Sequence, residues 1–131
     1  MKRVTGIGGV FFKSQDPEKL RAWYQKHLGL EFDDYGSMVF HCPASAEERK
    51  NAHTVWSLFP VDTKYFDPSS APFMINYRVE NLANLLEQLR SEGVEVDERV
   101  EEYEYGRFGW IMDPEGNRIE LWEPAVPFAK T

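Results

Sequence analysis

A helix start signal and a helix stop signal occur twice in this chain, nearly one fixed interval apart. In the first copy Asp16 can accept from first-turn amides as an N-cap, Pro17 takes the first helical position where a missing N–H costs nothing, and Glu18 meets the positive end of the dipole. Leu20, Trp23, Tyr24, His27 and Leu28 follow at helical spacing and define one apolar face, and Gly29 supplies a left-handed stop. In the second copy Asn81 is the cap, Leu82, Leu85, Leu86 and Leu89 form the face, and Gly93 is the stop. Asn81 lies 65 positions after Asp16 and Gly93 lies 64 after Gly29, so the programme is an internal repeat. A chain of 131 residues is too short for two independent cores, so the copies must share one.

Strand signals flank both helices. Ile7 to Lys13 is rich in Val and Phe and is stopped by Ser14-Gln15-Asp16-Pro17. After Leu30-Glu31-Phe32 and a turn at Asp33-Asp34-Tyr35-Gly36, strand character runs from Met38 to Cys42 and resumes from His53 to Phe59, with a polar surface loop from Pro43 to Ala52. Pro60 to Pro72 has linker composition and divides the sequence almost in half. The second half repeats the order: Phe73 to Val79, the helix, Val94-Glu95-Val96, the polar segment Asp97 to Glu104, Arg107 to Met112, a tight Asp113-Pro114-Glu115-Gly116-Asn117 turn, and Arg118 to Glu123. Each half reads as strand, helix, then three strands, which is an α+β architecture. A helix covers one face of such a sheet and leaves the other bare, and two sheets curled together bury the bare face around a cleft.

Composition removes several function classes. Fifteen Lys and Arg against 22 Asp and Glu give a formal charge of -7, a field that repels phosphate backbones, so no nucleic-acid partner is expected. Cys42 is the single cysteine, lies in an apolar run, and suits a buried small hydrophobe in a reducing compartment. The opening residues lack a signal-peptide core and no stretch approaches a membrane span, so the expectation is a cytoplasmic protein without a membrane partner.

Three segments carry a resemblance that covers essentially the whole chain. They are the opening strand-Asp16-Pro17-helix-Tyr24 with Leu28-Gly29-Leu30, the mid-chain Val79-Glu80-Asn81-Leu82, and above all Asp113-Pro114-Glu115-Gly116-Asn117-Arg118-Ile119-Glu120-Leu121. Together they resemble the vicinal oxygen chelate superfamily, which includes glyoxalase I, bleomycin-resistance proteins, extradiol dioxygenases and methylmalonyl-CoA epimerase. The resemblance implies paired βαβββ modules, here residues 1–68 and 69–131 of a single domain, forming a cup-shaped mixed sheet, commonly as a homodimer. In metal-dependent members the cup holds nickel, zinc, iron or manganese through up to four side chains. Carried over by position, those ligands fall on Gly9, near Ser57, on Met74 and on Glu120, and only Glu120 can ligate as the family does. No cofactor is therefore expected. A divalent metal would need a rearranged site, and His53, four residues before Ser57, is about 13 Å away along a strand. His41 would have to enter the cup from a neighbouring strand, and His27 sits on the helix.

Strand alternation names the other side chains of the cup face. With Gly9 come Phe11 and Lys13; with Ser57, Val55 and Phe59; with Met74, Asn76 and Arg78; with Glu120, Arg118 and Trp122. Phe108, Trp110 and Met112 share a face of the adjacent strand, which parity alone does not assign to the cup. Val10, Phe12, Trp56, Leu58, Ile75, Tyr77, Ile119 and Leu121 fall on the helix side as core. Glu120 is the candidate catalytic residue, and Phe11, Lys13, Ser57, Met74, Asn76, Arg78, Trp110 and Trp122 are the candidate ligand-binding residues. The expectation is an open pocket with apolar walls and a few polar groups; the alternative is that the aromatic rings close on one another.

Desolvated without a metal, Glu120 is a plausible general base or a counterion for a cation; paired with Arg118, Arg78 or Lys13, it only orients strands. Tyr103 and Tyr105 form either a lid over the cup mouth with a Gly106 hinge or a solvated acidic loop. Three functions fit. The leading one is a metal-free small-molecule binder, similar in principle to bleomycin-resistance proteins; the rival is a lyase or isomerase resembling glyoxalase I or methylmalonyl-CoA epimerase; the third is a partner-binding subunit with a plugged cup.

Overall fold

The computed structural model describes residues 3–41 and 53–125, with the His41 side chain left out; Cys42 and the polar run up to Ala52 lie outside the described residues. The elements in chain order are β1 (Val4–Ser14), α1 (Pro17–Leu28), β2 (Ser37–His41), β3 (His53–Pro60), β4 (Phe73–Val79), α2 (Leu82–Ser91), β5 (Glu95–Val96), β6 (Glu101–Tyr103), β7 (Gly106–Met112) and β8 (Arg118–Pro124). None of the described helices is long and apolar enough to cross a membrane.

Both caps form as the sequence predicts. The Asp16 carboxylate accepts from Lys19 N at 3.2 Å, and Gly29 closes α1 with φ of 72°, a left-handed geometry that costs a side-chain-bearing residue and not glycine. Asn81 accepts from Asn84 N at 3.1 Å, and the carboxylate of Glu123 on β8 accepts from Leu82 N at 2.8 Å, fastening the start of α2 to the sheet.

The strands form one open, curved sheet in the order β2-β3-β1-β4-β8-β7-β5, with β6 pairing with β7. Its centre is the antiparallel contact of β1 with β4. Outward from it, β1 pairs in parallel with β3 and β4 in parallel with β8, and then β2 and β7 add antiparallel to those. The repeat is thus reproduced as a topology about the β1/β4 seam. The halves are not equal, however. Among the described residues no strand forms at Leu30–Phe32, so the first half has two strands after its helix and not the expected three. The second half has four, because Glu101–Tyr103 pairs with β7.

The helix side of the second half is a tight core. Val79, Leu82, Leu85, Leu86 and Leu121 are buried, with Tyr77, Ile111 and Ile119 packed against them. Burying side chains of this size contributes on the order of 2 kcal/mol each. The helix side of the first half is thinner. Trp56 takes Phe12 at 5.3 Å and Tyr24 at 4.8 Å between ring centroids, but α1 buries no residue fully, and Trp23 and Leu28 are 51% and 61% exposed. The predicted apolar face of α1 is therefore only half used: Leu20 and Tyr24 turn inward, while Trp23 packs against His27 on the outside with ring centroids 4.9 Å apart and planes tilted 43°, an i,i+4 contact along the helix.

Candidate ligand site

Register brings the cup residues together as the alternation predicts. One row across five strands reads Val55, Gly9, Asn76, Glu120 and Trp110, each aligned with the next. Neighbouring rows hold Ser57, Phe11 and Met74 on one side and Arg78, Trp122 and Phe108 on the other. Pairing of Trp110 with Glu120 assigns Phe108, Trp110 and Met112 to the cup face, the point that parity left open.

Glu120 sits at the bottom of this surface, 2% exposed. Asn76 Nδ2 donates to its Oε1 at 2.7 Å, and Trp110 Nε1 donates to its Oε2 at 3.0 Å. The Tyr65 hydroxyl donates to the same Oε2. Neither Arg118 nor Lys13 forms an ion pair with it among the described residues: the Arg118 guanidinium meets Asp97 at 3.4 Å and acts on Glu120 only through its charge, and the Lys13 ammonium lies 5.5 Å from the centroid of the Phe66 ring. Burial pushes the Glu120 carboxyl above its ordinary range, and the three donors from Tyr65, Asn76 and Trp110 pull against that without overcoming it. Burial, and after it the Glu120 charge, push the Tyr65 phenol upward as well.

Among the described residues, the hollow expected over Glu120, Met74 and Trp110 is filled, while Val55, Ser57, Arg78 and Phe108 on the same face stay half-buried. Phe66 is fully buried against Met74 and Trp110, with Phe11, Phe59 and Phe108 around them, and Tyr65 stacks on Phe59 at 5.5 Å with planes 9° apart. The filling residues come from the linker-like segment, which sequence reasoning treated only as a divider. Two adjacent aromatics inside a polar, proline-rich stretch were the available signal, because such rings are costly to leave in water. Within the segment the backbone bonds are local: Thr63 N to Pro60 O, Asp67 N to Lys64 O and Ser69 N to Phe66 O, with Lys13 N to Pro72 O fastening the far end. Side chains, not a strand ladder, seat its middle on the cup.

The remaining candidates divide. Ser57 shares a hydroxyl contact of 3.1 Å with Ser37, at the edge of the cup. Arg78 Nη1 donates to the carbonyls of Ile7 at 2.9 Å and His53 at 2.6 Å, tying β4 to β1 and β3. Trp122 stacks on Phe108 at 6.0 Å and donates to Tyr105 O at 3.0 Å, and the His53 ring lies 5.2 Å from it. Tyr103 and Tyr105 stack on each other at 5.4 Å and edge against Phe108, but on a β6–β7 hairpin whose Gly106 pairs with Tyr103. That ladder makes them a rim and not a hinged lid.

The family's divalent metal does not fit these residues. A Cβ on Gly9 would lie 2.7 Å from Phe11 Cζ, so the volume of a first ligand is taken by a phenyl ring. Met74 is enclosed by Phe66 and Trp110, Ser57 is engaged by Ser37, and Glu120 already accepts three of the roughly four bonds a carboxylate offers. Among the described residues no three His, Cys, Asp or Glu side chains group as metal ligands.

Comparison with known proteins agrees with the architecture. The sequence model of the Glyoxalase/Bleomycin resistance protein/Dioxygenase superfamily matches residues 6–121. Methylmalonyl-CoA epimerase from Mycobacterium tuberculosis is 26% identical, covering 100% of this chain and 95% of its own, with a TM-score of 0.63. A variant of Streptomyces coelicolor methylmalonyl-CoA epimerase in complex with 2-nitronate-propionyl-CoA has the same fold at 14% identity and a TM-score of 0.68, covering 94% of this chain and 99% of its own. A superfamily member from Vibrio splendidus 12B01 does so at 9% identity and 0.57, covering 89% and 97%. No curated protein sequence matches the chain.

Proposed function

This chain belongs to the Glyoxalase/Bleomycin resistance protein/Dioxygenase superfamily, and from that premise we propose that it is a metal-free small-molecule binder whose ligand displaces Tyr65 from Glu120. The observation that carries this is a buried carboxylate ringed by aromatic walls and capped by a hydroxyl from a segment without ladder bonds at its middle. Such a carboxylate suits a ligand that donates hydrogen bonds or bears positive charge, and Phe11 and Phe59 offer faces to a cation. Asn76 spends its Nδ2 on Glu120 while its buried Oδ1 has no hydrogen-bond partner among the described residues, an acceptor that a donor-bearing ligand could satisfy.

Opening has a cost that limits affinity. Returning Phe66 to water loses roughly 2–3 kcal/mol of burial, which weakens apparent binding by about one to two orders of magnitude. A thermal-shift screen of cationic drugs, α-ketoaldehydes and acyl-CoA thioesters tests the proposal in wild-type protein and in Phe66→Ala. At least one class should raise the midpoint, more in Phe66→Ala, and Glu120→Gln should abolish the rise. Silence from every class in both proteins would leave the cup a packed core.

A second reading, an isomerase using Glu120 to move a proton beside a carbonyl, is favoured by the full-length similarity to the M. tuberculosis epimerase. A carboxyl raised by burial is a stronger base than an exposed one. Deuterium incorporation at the α-carbon of an acyl-CoA thioester, lost in Glu120→Gln, would establish it; incorporation equal to buffer alone would reject it.

A further inference from the structure

Beside the Tyr65 ring is an open cleft of about 530 Å³ lined by Thr63, Lys64, Tyr65, Asp67, Asp97, Arg99, Glu101 and Arg118. Its chemistry is uneven. Arg118 is 4% exposed, yet its Nε–H is buried without a hydrogen-bond partner among the described residues, and its one ion pair, to Asp97, is 3.4 Å long. Charge-assisted bonds settle near 2.7–2.9 Å, so this guanidinium is held but poorly satisfied. It lies 5.2 Å from the centroid of the Trp110 ring, and Arg99 lies 5.1 Å from the same ring. Two guanidiniums therefore converge on the indole that donates to Glu120.

The three carboxylates of the cleft match its three cations in number, but they leave the Arg118 Nε–H unfilled. Asp97 accepts from Arg99 N at 2.9 Å in addition to Arg118, and Glu101 accepts from the Tyr103 hydroxyl at 2.6 Å while facing Arg99 at 3.6 Å. Asp67 is the third acid. Lys64, next to Tyr65 in sequence, has no ion pair among the described residues. An under-satisfied buried fork, with a second guanidinium and an ammonium around it, is the donor set that a carboxylate or phosphate matches.

We propose that Arg118, Arg99 and Lys64 bind an oxyanion of the ligand whose other end replaces Tyr65 at Glu120. This rests on the ligand-holding reading and extends it: Tyr65 is the wall between cleft and carboxylate, so its displacement joins them, and the ligand is a bipolar small molecule. One end donates to Glu120; the other carries a carboxylate or a phosphate.

The test uses the full chain with inorganic phosphate and malonate as probes, against sodium chloride at matched ionic strength. Either probe should raise the thermal midpoint above the chloride control, and calorimetric binding should weaken at least tenfold in Lys64→Gln/Arg99→Gln, whose side chains are on the surface. Arg118→Lys keeps the charge and loses the fork, and it should weaken both probes. Equal midpoints in all three salts, or a rise that survives both the double variant and Arg118→Lys, would overturn the subsite. Anion binding unchanged in Glu120→Gln, together with a silent ligand screen, would refute the Glu120 reading alone. A screen hit lost in Glu120→Gln but indifferent to the cation variants would refute the subsite alone.

Discussion

The Tyr65 hydroxyl donates to the buried Glu120 carboxylate across 55 positions of sequence, so a side chain from the inter-module connection completes a site built on the last strand. That bond and the burial of Phe66 seat the connection on the cup. Removing the hydroxyl leaves the ring contacts with Phe59 and Trp110 in place and takes one of three donors from a desolvated carboxylate. Tyr65→Phe should therefore cost about 1–2 kcal/mol in urea unfolding at neutral pH. It should also speed amide exchange across residues 61–71 without affecting β4 or β8. An unchanged midpoint with unchanged exchange would mean that the bond does not form in solution.

Phe66 is the plug. Phe66→Ala should bind a hydrophobic dye that the wild type excludes, because it uncovers the faces of Met74, Trp110 and Phe59. Far-UV circular dichroism should stay unchanged, since no strand ladder runs through the segment. Loss of stability of about 3–5 kcal/mol with collapse of the dichroism signal would instead identify Phe66 as ordinary core.

Glu120 sets a pH dependence of known sign. Its folded-state pKa is raised by burial, so its contribution to stability is fully present below its unfolded value and is lost as pH rises through the folded one. Asp97, held low by the Arg99 amide and then by Arg118, and Asp113, held low by Asn117, contribute in the opposite sense, losing stability as pH falls. Those two are common to wild type and Glu120→Gln and cancel in the difference. The stability of wild type minus that of Glu120→Gln should thus decline as pH rises from about 4.5, measured by urea unfolding at several pH values. Gln fits the site, since its oxygen can accept from Tyr65 and Trp110 while its amide donates to Asn76 turned over. A flat difference would mean that burial does not shift this group.

Much of this was legible in the sequence because it is periodic. The caps at Asp16 and Asn81 and the alternation along β4 and β8 are local signals, and the cup face followed from them residue by residue; the burial of Glu120 on that face was an open condition that the structure meets. What was not legible is carried by contacts between distant segments. Tyr65 and Phe66 lie in a stretch with no period, so nothing local says that they fold back over β8. For the same reason the hydrogen-bond donors to Glu120 could not be read: pairing with Arg118, Arg78 or Lys13 was one of two open readings, and the donors are Tyr65, Asn76 and Trp110, while the Arg118 guanidinium meets Asp97. Trp23 and Leu28 illustrate the opposite error, since helical spacing marks a face without saying how wide the sheet beneath it is.

The relation of Gly9 to Phe11 decides whether a metal could be restored. A Cβ at Gly9 meets Phe11 Cζ at 2.7 Å and Cε1 at 2.9 Å, and Phe11 is held against Phe59 with ring centroids 5.6 Å apart, so a larger residue at position 9 overpacks the cup. Gly9→His should destabilise by about 1–3 kcal/mol. Phe11→Ala should lose stability by creating a cavity, and the double variant should recover part of both losses, because histidine occupies the space that phenylalanine leaves. Urea unfolding of the four proteins gives the coupling energy directly, and additive losses would show that the two positions do not share a volume. Elemental analysis of the same set, after equilibration with nickel, zinc and manganese, should find well under one ion per chain in the wild type. Near-stoichiometric metal in the wild type that disappears in Glu120→Gln would show that the cup reorganises around an ion, and the Tyr65 cap would then be the displaced state.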